Sequence, residues 1–100
     1  GKETRDFIYA EDVARALTLL ATQAVDPHTP IYNVGTGVST SIFDLATCLL
    51  KRLNSGKVIA MMSASNIIAV PNALDSTHLR QATGWTPQWN LMDGLREAIQ

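Results

Sequence analysis

Arg5 is the side chain of this 100-residue sequence best placed to do chemistry. It stands in Thr4-Arg5-Asp6-Phe7-Ile8-Tyr9-Ala10-Glu11-Asp12-Val13, which begins polar, turns apolar at Phe7 to Tyr9 and enters a helix-period pattern at Val13. That order puts an arginine at the mouth of a short strand feeding a helix. A guanidinium holds five N–H donors in one rigid plane, which suits a phosphate or a carboxylate. From the pattern alone, a solvated surface arginine paired with Asp6 is the simpler account and takes precedence.

The other chemistry-bearing residues have blander explanations. Gly35-Thr36-Gly37-Val38-Ser39-Thr40 follows an apolar run and opens a helix, the context a dinucleotide fingerprint requires. Its third glycine position holds Thr40, and the next apolar run ends at Met61-Met62-Ser63 with no acid to hold a ribose hydroxyl. It reads as a tight turn before a capped helix. His28 and His78 have no second ligand at metal spacing, so no zinc site is expected. Cys48 lacks a Cys-x-x-Cys partner and reads as an inert thiol at the margin of an apolar face. Ser39, Thr40, Ser41 and Asp75 follow helix-capping grammar rather than that of nucleophiles or catalytic acids. Trp85 and Trp89 flank Pro87 and are expected to pack the last helix. The sequence offers no paired carboxylates, no Ser/His/Asp set and no catalytic residue.

The elements that must position Arg5 follow from periodicity. Val13, Ala16, Leu17, Leu20, Ala21 and Ala24 fall on one face of a helix ending near Val25, before Asp26-Pro27. Ile31 to Val34 reads as a strand running into the Gly35 turn. Ser41, with Asp44 three residues on, caps a helix whose buried stripe is Ile42, Leu45, Ala46, Leu49, Leu50 and Leu53. Asn54-Ser55-Gly56 stops it. Val58 to Met62 reads as a buried strand and Ile67 to Val70 as a short extended segment. Asp75 is expected to cap a helix over Ser76 to Thr83, closed by Gly84. A last helix follows Asn90, with Asp93 three residues later. The fold class expected is α/β, with short strands and about four helices.

Composition narrows the function. A length of 100 residues allows one domain or part of one. A formal net charge of −1 with no basic stripe argues against a nucleic-acid partner. No apolar run is long enough to span a membrane. One cysteine excludes an internal disulfide framework and fits a reducing, cytoplasmic compartment. The chain lacks an initiating Met, and its Gly1 start suggests a piece cut from something longer or a start after a processed tag.

Several stretches, taken in order, resemble the C-terminal part of the NAD(P)-dependent nucleotide-sugar epimerase/dehydratase family, within the extended short-chain dehydrogenase/reductase superfamily. They are Gly1-Lys2-Glu3-Thr4-Arg5-Asp6-Phe7-Ile8-Tyr9 with Glu11-Asp12-Val13-Ala14-Arg15-Ala16, and Ile31-Tyr32-Asn33-Val34-Gly35-Thr36-Gly37 with Ser39-Thr40-Ser41-Ile42. Leu74-Asp75-Ser76 with Leu79-Arg80, Thr83-Gly84-Trp85-Thr86-Pro87 and the closing Gly94-Leu95-Arg96 complete the series. Each piece is short; their shared order and spacing give the resemblance its specificity.

The resemblance implies that residues 1–100 are the nucleotide-sugar-binding portion of a two-part enzyme whose Rossmann half is absent here. In the family an N-terminal Rossmann domain holds NAD or NADP and carries a Tyr-x-x-x-Lys pair, which supports transient oxidation of the sugar. This sequence has neither that pair nor a Gly-x-x-Gly-x-x-Gly, so the chain by itself is expected to bind no cofactor and to turn over no substrate. The Arg of the family's Arg-Asp-aromatic motif contacts the diphosphate, which assigns that role to Arg5 and leaves Asp6 to orient Arg5 or the strand start. Many members carry a second Arg just before the Pro upstream of the Leu-Asp-Ser element; here Val70 stands there. Surfaces that would meet the Rossmann domain are expected to be bare, favouring a homo-oligomer or swapped dimer. The alternative is a stand-alone, non-catalytic binding or interaction module with the same fold.

Overall fold

The computed structural model describes residues 1–23, 28, 31–54 and 72–99. The extended segments expected over 58–62 and 67–70 lie outside them. Among the described residues the order is β1 (Thr4–Arg5), α1 (Ala10–Thr22), β2 (Thr40–Ser41), α2 (Ile42–Arg52), α3 (Thr77–Thr83) and α4 (Leu91–Ala98). No described helix is long and apolar enough to cross a membrane.

The four helices agree with the periodicity; among the described residues the strands do not. The apolar run Phe7–Tyr9 is not a strand, and the extended pairing lies one step earlier, at Thr4–Arg5. Its partner is not Ile31–Val34 but Thr40–Ser41, in antiparallel register with Thr4 opposite Ser41 and Arg5 opposite Thr40. Tyr32 and Val34 are apolar because they pack against the core as irregular chain. Packing accounts for Ile8, Tyr32 and Val34, whereas Ile31 is 77% exposed, so apolarity alone misassigns these runs as ladder.

Local capping explains where the helices start and stop. The Ser41 hydroxyl accepts the Asp44 N–H at 3.0 Å, and the Asn90 side chain accepts the Asp93 N–H at 2.8 Å. Both caps satisfy a backbone donor that the first helical turn leaves without a partner. Lys51 and Arg52 close α2 at its negative end. Gly84 ends α3 at φ 74°, a left-handed conformation that a side chain would oppose. Asp75 does not cap α3 as expected. Ser76 is the N-cap residue, and Asp75 instead accepts the Thr77 N–H at 2.9 Å in a local turn. Ser41→Ala is expected to lower stability by about 1 kcal/mol, read as a shift in the urea midpoint with unchanged slope.

Among the described residues the fully buried apolar core is Ala16 from α1, Leu79 from α3 and Trp85 from the segment after α3. Ile8, Leu19, Leu20, Tyr32 and Val34 pack around it. The molecule extends 49 × 36 × 13 Å with a radius of gyration of 16.5 Å, against roughly 13 Å for a compact chain of this length. A slab so thin has little interior. The stripe of α2 shows the consequence: no residue of that helix is buried, and Ile42 and Phe43 are 37% and 40% exposed. The stripe was expected to be covered, but β2 and α4 shield it only in part.

Candidate functional site

Arg5 occupies the second and last ladder position of β1, opposite Thr40. Its side chain is exposed, and Nη1 donates to the Thr4 carbonyl at 2.7 Å. It forms no ion pair among the described residues. The expected pairing with Asp6 is not formed, because the Asp6 carboxylate turns the other way.

Asp6 gathers donors from two distant segments. The Thr36 N–H lies 3.0 Å from both carboxylate oxygens, and the Thr36 hydroxyl donates to Oδ1. Oδ2 also accepts the Gly37 N–H at 2.9 Å and the Leu74 N–H at 3.1 Å. Partial burial acts to raise the Asp6 carboxyl, but these bonds from Thr36, Leu74 and Gly37 outweigh it and hold the group below the ordinary carboxylate range. One carboxylate thus ties the exit of β1 to the glycine turn and to the chain ahead of α3.

A second tie reinforces the first. The Ser76 hydroxyl donates to the Gly35 carbonyl and accepts the Gly35 N–H, both at 2.9 Å. Gly35 is required by close approach: a Cβ there would lie 2.6 Å from Leu74 Cβ and 2.8 Å from Asp6 Oδ2. The packing of three chain segments fixes this glycine, whatever binds nearby. The same bonds decide the fit of a dinucleotide. The N–H groups of Gly35, Thr36 and Gly37 already donate to Ser76 and Asp6, so the turn has none to offer a pyrophosphate. This turn therefore does not fit the pyrophosphate of NAD.

Among the described residues, clefts border this region. One of about 420 Å³ is lined by the glycine turn, by Leu74 to Ser76, and by Arg80, Trp85 and Pro87. A second of about 530 Å³ runs past Phe7, Thr36, Thr40 and Trp89. A third of about 290 Å³ is an apolar groove between α2 and α4, with Phe7 and Tyr9 at its side. Arg5 lines none of them, although its ladder partner Thr40 borders the second.

The other candidate residues lie elsewhere. Trp85 is buried and donates Nε1–H to the Asp12 carbonyl at 2.9 Å, so it packs α1 rather than α4. Trp89 meets Tyr9 with ring centroids 4.5 Å apart, and Tyr9 lies against Gly94 of α4. His78 is exposed on α3, and Cys48 is half-buried on α2. Among the described residues no three His, Cys, Asp or Glu side chains cluster as a metal site would need. Two carboxylates matter more than pattern reading suggested. Asp6 holds the glycine turn, and Asp12 is 1% exposed and accepts from Arg15 and from the N–H groups of Gln88 and Trp89. The one clue to Asp6 was the turn itself, whose adjacent N–H groups need an acceptor once packed inside.

Residues 1–35 match the family model described as the NAD dependent epimerase/dehydratase family. The chain is 31% identical to the dTDP-L-rhamnose 4-epimerase of Burkholderia thailandensis, over 97% of this chain and 26% of that protein. It is 28% identical to the UDP-glucose 4-epimerase of Mycolicibacterium smegmatis, over 100% of this chain and 31% of that one. Among solved structures, the Bordetella bronchiseptica enzyme WbmF, in complex with NAD+ and UDP, superposes with a TM-score of 0.76 at 32% identity, covering 97% of this chain and 28% of WbmF. The UDP-glucose 4-epimerase of Bifidobacterium longum shares the fold with a TM-score of 0.80 at 18% identity, over 97% of this chain and 29% of that one. The chain therefore spans about a third or less of the length of these relatives.

Proposed function

The chain belongs to the NAD dependent epimerase/dehydratase family, within the extended short-chain dehydrogenase/reductase superfamily, and from that premise we propose that it is the nucleotide-sugar-binding portion of such an enzyme. Arg5 is the proposed contact to the diphosphate of the ligand. The observation that carries this reading is its placement: an exposed guanidinium, without an ion pair among the described residues, at the end of a ladder strand inside the family-matched segment. A charge-assisted fork of that kind pairs with phosphate oxygens without first breaking a salt bridge.

Binding and chemistry are divided in this proposal. The sequence carries no Tyr-x-x-x-Lys pair, and its glycine turn is closed to a pyrophosphate by Asp6 and Ser76. NAD or NADP and the acid–base pair would come from further residues of the full-length protein, and the 100-residue chain alone would hold nucleotide-sugar without converting it. Exposed Leu17, Ile42, Phe43 and Leu53 support the accompanying proposal that the isolated chain associates with itself or is covered by a further domain.

The test is titration of the full-length protein with UDP, followed by heat release. Arg5→Ala is expected to weaken binding by about 1.5–3 kcal/mol, the scale of a hydrogen bond to a charged group. That is roughly a 10- to 150-fold rise in Kd. Arg5→Lys should recover part of the loss, since it restores the charge without the fork. Unchanged affinity in Arg5→Ala would overturn the assignment.

A further inference from the structure

We infer that Asp6 is the positioning residue for Arg5: its carboxylate, by closing the Gly35–Gly37 turn and the Leu74 segment onto the end of β1, sets the direction in which the guanidinium is presented to a nucleoside diphosphate. This rests on the reading of Arg5 given above and adds to it the device that aims the side chain.

The ladder cannot aim Arg5 by itself. It has two residue pairs, Thr4 with Ser41 and Arg5 with Thr40, and two-stranded ribbons of such length are marginal in water. Arg5 stands at its open end, where pairing stops. The next residue, Asp6, restores the constraint through side-chain bonds. The Thr36 and Gly37 N–H groups it holds lie three to four residues ahead of Thr40, so the carboxylate ties both strands of the ribbon just beyond the last ladder pair. The Leu74 N–H fixes the same point to the chain ahead of α3. A Cβ on Gly35 would lie 2.6 Å from Leu74 Cβ and 2.8 Å from Asp6 Oδ2, so the joint has no slack on that side.

The bonds also explain why Asp6 does not pair with Arg5. A carboxylate turned toward Arg5 would neutralise the guanidinium and compete with a phosphate. Turned inward, it fixes the backbone on which Arg5 stands and leaves the charge exposed. Asparagine cannot substitute. Its one carbonyl oxygen can serve part of the set, and its amide N–H groups would face the donors of Thr36, Gly37 and Leu74.

A double-mutant cycle on UDP binding tests the inference in the full-length protein, at a temperature where circular dichroism shows every variant folded. Asp6→Asn alone is expected to raise the UDP Kd on the order of tenfold, because misplacement of a binding group weakens its contact. In an Arg5→Ala background the same change is expected to add less than about twofold, since a residue acting through Arg5 has nothing left to act on. A purely structural role would lower the melting temperature and leave the cycle additive. Should Asp6→Asn fail to fold, Thr36→Val takes its place, removing the hydroxyl that donates to Oδ1 while keeping the backbone bonds. An effective Arg5→Ala with a silent or additive Asp6→Asn overturns this inference alone. A silent Arg5→Ala overturns the diphosphate assignment and this inference with it.

Discussion

Trp85→Ala is expected to cost about 3–5 kcal/mol of stability, the range for truncating a buried aromatic side chain to alanine. Trp85 is 1% exposed, and its fully buried apolar companions are Ala16 and Leu79. Alanine contributes little volume, so the indole supplies most of what is sealed from water. The half-buried neighbours Ile8, Leu19, Leu20, Tyr32 and Val34 have solvent on one side. Among the described residues these are the side chains packed around the core, so little is at hand to collapse into the void. The cavity term is therefore added to the lost transfer energy instead of being relaxed away. The substitution also removes the Nε1–H bond to the Asp12 carbonyl and the ring over which the Arg15 guanidinium lies at 5.8 Å. Trp85→Phe keeps an aromatic ring but loses the indole N–H, with an expected cost of about 1–2 kcal/mol. Urea unfolding followed by far-UV circular dichroism separates the two variants. A cost below about 1 kcal/mol for Trp85→Ala would mean that the core lies elsewhere.

What could be read from the sequence divides along the distance over which an interaction acts. The caps at Ser41 with Asp44 and Asn90 with Asp93 span three residues, and both are formed as expected. Gly84 closes α3 because that requirement belongs to its own backbone. The strands were misplaced because Ile8, Tyr32 and Val34 are apolar for core packing, while the residues that do pair, Thr4, Arg5, Thr40 and Ser41, are polar and carry no alternation over two positions. The stripe of α2 was legible as a stripe, but nothing within eleven residues says how much of it a neighbour covers. The proposal that Arg5 meets the ligand comes from the order of motifs along the whole chain, since its own neighbourhood favours a plain surface arginine. Asp6 was given a role in orienting Arg5 or the strand start, but the backbone donors that Asp6 and Asp12 hold lie 30 to 77 residues away and were not legible.

Asp12→Ala is expected to destabilise the chain by about 3–5 kcal/mol, on the scale of breaking a buried ion pair, although a sequence reading gives Asp12 only the modest role of an acid in a first helical turn. The carboxylate is 1% exposed. Oδ1 accepts Arg15 Nη2 at 2.6 Å and the Gln88 N–H at 3.0 Å, and Oδ2 accepts the Trp89 N–H at 3.1 Å. Alanine leaves those two backbone donors without an acceptor, each at about 1–3 kcal/mol if water does not reach it. The Arg15 side chain is 30% exposed, so its lost pairing is softened by solvent and contributes the smaller share. It still donates to the Thr86 carbonyl at 2.8 Å, which keeps one bond across the joint. Asp12→Asn retains one acceptor oxygen and should fall between wild type and alanine. The decisive measurement is the double variant with Trp85→Ala. Arg15 pairs with the Asp12 carboxylate and lies over the Trp85 ring, so the two losses share a partner and should fall short of additive by about 0.5–3 kcal/mol. Full additivity in urea unfolding would show that α1 and the Trp85–Trp89 segment are held by independent contacts, and that Asp12 is not the joint between them.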